Sequence, residues 1–210
     1  MRRFIFSLTQ MLALLLAAPA LAAEAPPVRP APSTGMVPAI ATCPKLTAEQ
    51  TADRARTTAL KVPAEFRMIA RANVNHIAAS TLSGGTVCVS TGYFEAVEGF
   101  RLSRDGRFFH FSWGGNEAGG YIIVDRSGRG QSADIGAIPT FSPSRAHFAS
   151  IEISESGFGS LNAFLVLAVD PVGMRQIAKL ETIPMLVDWR IHDWVGETCI
   201  NLSGIRQEDM

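Results

Sequence analysis

The spacing of apolar residues changes three times along the chain. Phe4 to Leu16 is a mostly apolar run, broken only by Ser7, Thr9 and Gln10. Ala23 to Ile40 then loses all periodicity and carries five prolines. From Thr47 the polar residues are good helix formers. Thr47 with Gln50 three positions on is a capping-box signal, which predicts a surface helix to about Leu60. After Pro63, residues Phe66, Ile69, Ala70, Val74 and Ile77 recur on one helical face, predicting an amphipathic helix over about 64–79 with His76 beside its apolar stripe.

Beyond Ser83-Gly84-Gly85 the period shortens to two. In "TVCVS", Val87 and Val89 share one face and Cys88 takes the other. "RFFHFSW" alternates Phe109, Phe111 and Trp113 against Phe108, His110 and Ser112. "YIIV", "RQIAKL" and "ETCINL" read as further strands, and "NAFLVLAV" as a strand covered on both faces. Turn chemistry separates them at Asp105-Gly106, Ser127-Gly128 and Asp170 to Gly173.

These segments repeat. "LSRDGRFFH" (102–110) aligns with "FSPSRAHFA" (141–149), so Ser103 meets Ser142, Asp105 meets Ser144 and Phe109 meets Phe148. "VDRSG" (124–128) aligns with "VDPVG" (169–173), and Ile138-Pro139 with Ile183-Pro184. A period of roughly 40–45 residues with several short strands is the mark of propeller blades. Through "FSPS", "LSRDG" and the paired "VD..G" turns, Phe100 to Trp194 resembles the blades of TolB-like and WD40-like β-propellers. "GYIIVDRSGRG" followed by "FSPSRAHFA" is also similar to small exported bacterial proteins of no assigned activity. The resemblance implies a blade-like antiparallel sheet and no catalytic residue. About two and a half units are present, and propellers close with 4–8. The expected fold is therefore mainly β, with open antiparallel blade-like sheets and a short α-helical N-terminal cap.

Arg2-Arg3, the apolar run and Ala20-Leu21-Ala22 have the layout of a cleavable secretory leader rather than a membrane anchor. The predicted divisions are a leader at 1–22, a Pro/Ala-rich linker at 23–41, a helical cap at 42–82 and a β domain at 83–208. The whole chain balances 19 basic against 19 acidic residues. Such neutrality gives no electrostatic drive toward nucleic acid or an anionic membrane, and no stable membrane insertion is expected after cleavage. Export to the periplasm or beyond predicts a disulfide among Cys43, Cys88 and Cys199. Cys88 and Cys199 lie near the two ends of the β region. A Cys88–Cys199 bridge is expected, with Cys43–Cys88 as the competing pair.

Chemistry is sparse. There is no G-x-S-x-G elbow and no phosphate-binding glycine loop between strand and helix. "SESGFGS" and "WGGNEAGG" read as hairpin loops. The histidines and cysteines lack metal-ligand spacing, and neither metal nor cofactor is expected. The densest cluster is "DWRIHDW". In a regular strand Asp188, Arg190, His192 and Trp194 share a face, a composition suited to binding. The simpler reading has the tryptophans plugging the sheet ends and Asp188 pairing with Arg190. The expected function is that of an exported, non-enzymatic envelope protein that binds a protein or small ligand. The alternatives are a small envelope hydrolase using His192 with Asp188 or Asp193, and a structural module acting as an oligomer.

Overall fold

The computed structural model describes residues 3–6, 37–52, 56–154, 157–181 and 187–205. Among these residues four antiparallel sheets follow one another along the chain, and they do not close into a barrel. The first contains β2 (Ala70–Ala72), β3 (His76–Ser80) and β4 (Thr86–Ser90). The second contains β5 (Ala96–Leu102), β6 (Phe108–Gly114), β7 (Gly119–Asp125) and β8 (Gln131–Asp134). The third contains β9 (Thr140–Phe141), β10 (His147–Glu152), β11 (Ala163–Asp170) and β12 (Gly173–Leu180). The last joins β13 (Val187–Val195) to β14 (Cys199–Ile205), with β1 (Arg3–Phe6) on the outer edge of β14. Residues 7–36, which hold most of the predicted leader and linker, lie outside the described residues, as does Ile183-Pro184.

Strand alternation explains how the sheets stack. Phe109, Phe111, Ile122 and Val124 point from the second sheet into a core shared with Ile77, Ala79, Val87 and Val89 of the first. Phe108, Tyr121 and Ile123 leave the opposite face and meet Phe148, Leu165 and Leu167 of the third. The second sheet is thus covered on both sides. β11 is buried at Ala163, Leu165, Val166 and Leu167 and half-buried at Phe164, Ala168 and Val169, with Asp170 exposed, so it is less fully covered than its unbroken apolar run predicts.

The repeat has a physical basis in its turns. Ser103 Oγ accepts the Phe108 N–H, and Ser142 Oγ accepts the His147 N–H. The Ser103 N–H donates to Phe108 O, and the Ser142 N–H donates to His147 O. Gly106 (φ 71°) and Arg145 (φ 61°) occupy the same left-handed step of the two loops. Phe109 and Phe148, the aligned aromatics, are both fully buried, and each faces the preceding sheet.

Two helix predictions change. Thr47 and Gln50 do form the capping box: the Thr47 N–H meets Gln50 Oε1 and the Gln50 N–H meets Thr47 Oγ1. Among the described residues the α-helix, α1, spans Glu49–Ala52, and residues 56–60 are not helical. Over 64–79 there is a single 3-10 turn, Ala64–Phe66, and then the β2–β3 hairpin. Asn73 is the cause. Its Oδ1 accepts the N–H groups of both Asn75 and His76, a turn that ends any helix. β3 is buried at all five positions, so a helical stripe and a two-faced strand fit the same residues.

The disulfide is Cys43–Cys88, and Cys199 is free and half-buried, which overturns the Cys88–Cys199 expectation. Cys88 lies opposite Ala78, on the face turned away from the second sheet. Segment 37–43 crosses that face, with Ala39 N–H donating to Thr86 Oγ1. The bridge closes the exposed side of the first sheet. The last sheet, which carries Cys199, packs at the other end of the stack.

Candidate functional site

β13 does not keep the regular alternation on which the Asp188–Trp194 face rests. Its pairing with β14 shifts between Val187 and Arg190 and again between Ile191 and Asp193. Asp188 takes a left-handed φ of 50°, which aspartate tolerates better than most residues. β-Bulges of this kind re-aim side chains.

The structure keeps Asp188, Arg190 and His192 exposed and removes Trp194 from the group. Arg190 forms a two-point ion pair with Asp188, with Nη2 2.7 Å from Oδ2. His192 Nε2 lies 2.7 Å from Ser203 Oγ on β14. Asp193 is engaged separately, accepting the Asn201 amide at 2.8 Å. Trp194 turns to the third sheet, where its indole N–H donates to Thr140 O and its ring stacks on His147. Nearby, Glu197 at the tip of the β13–β14 hairpin accepts from the backbone and hydroxyl of Ser144. Those bonds, with Ser142 and His147, hold its carboxyl below the usual range. One end of β13 is therefore a structural clamp, and the other remains open to solvent.

Sequence reasoning missed three polar arrangements. Asp125 is fully buried and accepts two bonds from Arg107, whose guanidinium also reaches the carbonyls of Asp170 and Gly173 in the third sheet. Arg126 is also buried, and it donates to Ser80 O and Oγ in the first sheet and to Gly106 O. Together they join three sheets at one end of the second, so "VDRSG" is more than a turn. The signal was an Asp-Arg pair directly after the apolar run of β7. His110 bonds the buried Tyr121 hydroxyl. Burial, with Arg101 and Arg145 adding repulsion, lowers its pKa to about 4. That histidine is a neutral hydrogen-bonding partner at physiological pH.

Asp134 gathers the Trp113 indole, the Ser160 hydroxyl and the Gly136 N–H on one carboxylate. This fixes the end of "SESGFGS" against the second sheet, where Gly119 and Gly159 form a bridge. "WGGNEAGG" is the β6–β7 hairpin loop, closed by Gly115 N–H to Ala118 O. Glu152 accepts the Leu161 N–H, and Glu155 lies outside the described residues. Among the described residues no group of three His, Cys, Asp or Glu side chains could hold a metal ion. No helix among them is long and apolar enough to cross a membrane.

The described residues define a mainly β protein of four open antiparallel sheets, stacked in chain order and tied by the half-buried Arg107 and the buried Arg126. Comparison with family models, curated proteins and solved structures finds no match to the chain.

Proposed function

We propose that this chain is an exported, non-enzymatic binding protein of the bacterial cell envelope, acting in the periplasm or outside the cell. It engages a protein or small ligand through the last sheet. One observation carries the reading: Asp188, Arg190 and His192 stand exposed together on the sheet that ends the stack. The basic, apolar, A-x-A leader supports export, and the Cys43–Cys88 bridge suits an oxidising compartment. The test is affinity capture from envelope extract. The wild-type chain and a Lys179→Glu control should retain the same specific partner, and Arg190→Glu should lose it. Equal retention by all three proteins would refute the assignment of the surface.

A second reading rests on Ser203. It supplies, 2.7 Å from His192 Nε2, the hydroxyl nucleophile that a hydrolase requires. The third member is missing from the observed bonds, since Asp188 serves Arg190 and Asp193 serves Asn201. A fluorophosphonate probe decides: labelling lost in Ser203→Ala favours the hydrolase, and an unlabelled wild type removes it.

A further inference from the structure

The free edge of the first sheet lies far along the stack from the surface just described, and it has a chemistry of its own. Among the described residues β2 pairs only with β3, and no strand lies on its other edge. Beside that edge runs segment 59–62, and between them lies a groove of about 380 Å³. Its lining holds Lys61, Arg67 and Arg71 and no acidic residue.

The cations of this groove differ from others on the molecule. Arg107 pairs with Asp125, Lys179 with Glu181 and Arg190 with Asp188. Among the described residues no carboxylate forms an ion pair with Lys61, Arg67 or Arg71. Each arginine spends one nitrogen on the backbone: Arg67 Nε on Val62 O at 3.4 Å, and Arg71 Nη1 on Ala70 O at 3.3 Å. Those long bonds hold the guanidinium groups at the groove, and among the described residues their remaining N–H donors have no further acceptor. Among the described residues no carboxylate lines the groove, and the three cations that line it repel one another. A bound anion relieves that repulsion.

The walls are preformed. Leu60, Val62 and Ala70 line the groove and belong to the core between the first and second sheets, so a ligand need not order them. The volume falls in the range of small-molecule sites, about 300–1,000 Å³. Guanidinium forks match the paired oxygens of phosphate and carboxylate groups.

We infer that the groove between segment 59–62 and β2 binds a small multivalent oxyanion, a phosphate- or polycarboxylate-bearing molecule, through Lys61, Arg67 and Arg71. Isothermal titration calorimetry on the full chain with two probes, inorganic pyrophosphate and citrate, tests this. One saturable site is expected, weakened about tenfold or more by Arg67→Ala and by Arg71→Ala. Lys179→Ala should leave it unchanged, and added salt should weaken it. Binding of pyrophosphate alone points to a phosphate-bearing ligand, and binding of citrate alone to a polycarboxylate. Binding of both keeps both sources within the class. Arg67 is exposed, so its variant keeps the test valid should Arg71→Ala fail to fold. No saturable binding of either probe, or equal affinity in wild type and both arginine variants, overturns the inference.

Discussion

"RFFHFSW" and "DWRIHDW" look alike as strings: each alternates, each has a histidine near its centre, and each has a tryptophan toward its end. In the folded chain they have opposite fates. β6 pairs with β7 through seven successive positions without a shift, and Phe108, Phe109 and Phe111 are buried. β13 shifts register twice against β14, and Asp188, Arg190, His192 and Asp193 are exposed. His110 is a neutral partner of Tyr121, whereas His192 meets Ser203 in the open. The second sheet has a sheet on each side. The last sheet ends the stack. A strand's place in the stack therefore decides burial more than its own alternation does.

That contrast can be broken most forcefully at the aligned aromatics. Phe148→Ala should cost about 3–5 kcal/mol, the range for truncating a buried phenylalanine, and Phe109→Ala should cost a similar amount. Urea unfolding measures both. A Phe148 variant as stable as wild type would separate the sequence repeat from the packing repeat.

Opening the Cys43–Cys88 bridge comes next. The residues are 45 apart in sequence, and chain-entropy models give about 4 kcal/mol for a loop of this size. Cys43→Ser with Cys88→Ser should lower the urea midpoint accordingly, while Cys199→Ser should leave it nearly unchanged. The reverse order would return the bridge to Cys199.

His110 sharpens the comparison through pH. The folded His110 value of about 4 lies below the ordinary 6.5, so the unfolded chain takes up its proton first as pH falls. Its contribution is complete above about pH 6.5, declines between there and pH 4, and is constant below, a loss of about 3 kcal/mol. His110→Gln should flatten the stability profile across that window. Identical slopes in wild type and His110→Gln would mean that His110 takes up its proton equally readily in the folded and unfolded chain.

The smallest effect belongs to the open surface. Arg190→Ala removes an exposed ion pair and should change stability by no more than about 0.5 kcal/mol. A larger loss would give β13 a structural role like that of β6.

Several features were legible because they are local. The Thr47–Gln50 capping box, the Ser103 and Ser142 turns, and the alternation of β4 and β6 each depend on residues a few positions apart, and each is present in the fold. The helix expected over 64–79 failed because apolar spacing alone cannot tell a helical stripe from a strand buried on both faces. The Asn73 turn was the overlooked local cue. The site was only partly legible. Arg190 and Asp188 pair as the simpler reading had it, but Trp194 leaves the group, since bulges set by pairing with β14 redirect the side chains.

Composition and pattern by themselves determined a mainly antiparallel β chain with a repeated turn-and-strand unit, because strand period and turn chemistry are written in neighbouring residues. The tertiary structure alone decided that four sheets stack in chain order, that Cys43 rather than Cys199 reaches Cys88, and that Lys61, Arg67 and Arg71 line one groove. Those outcomes depend on which faces meet across dozens of residues, and burial and charge proximity are properties of that meeting rather than of any short stretch of chain.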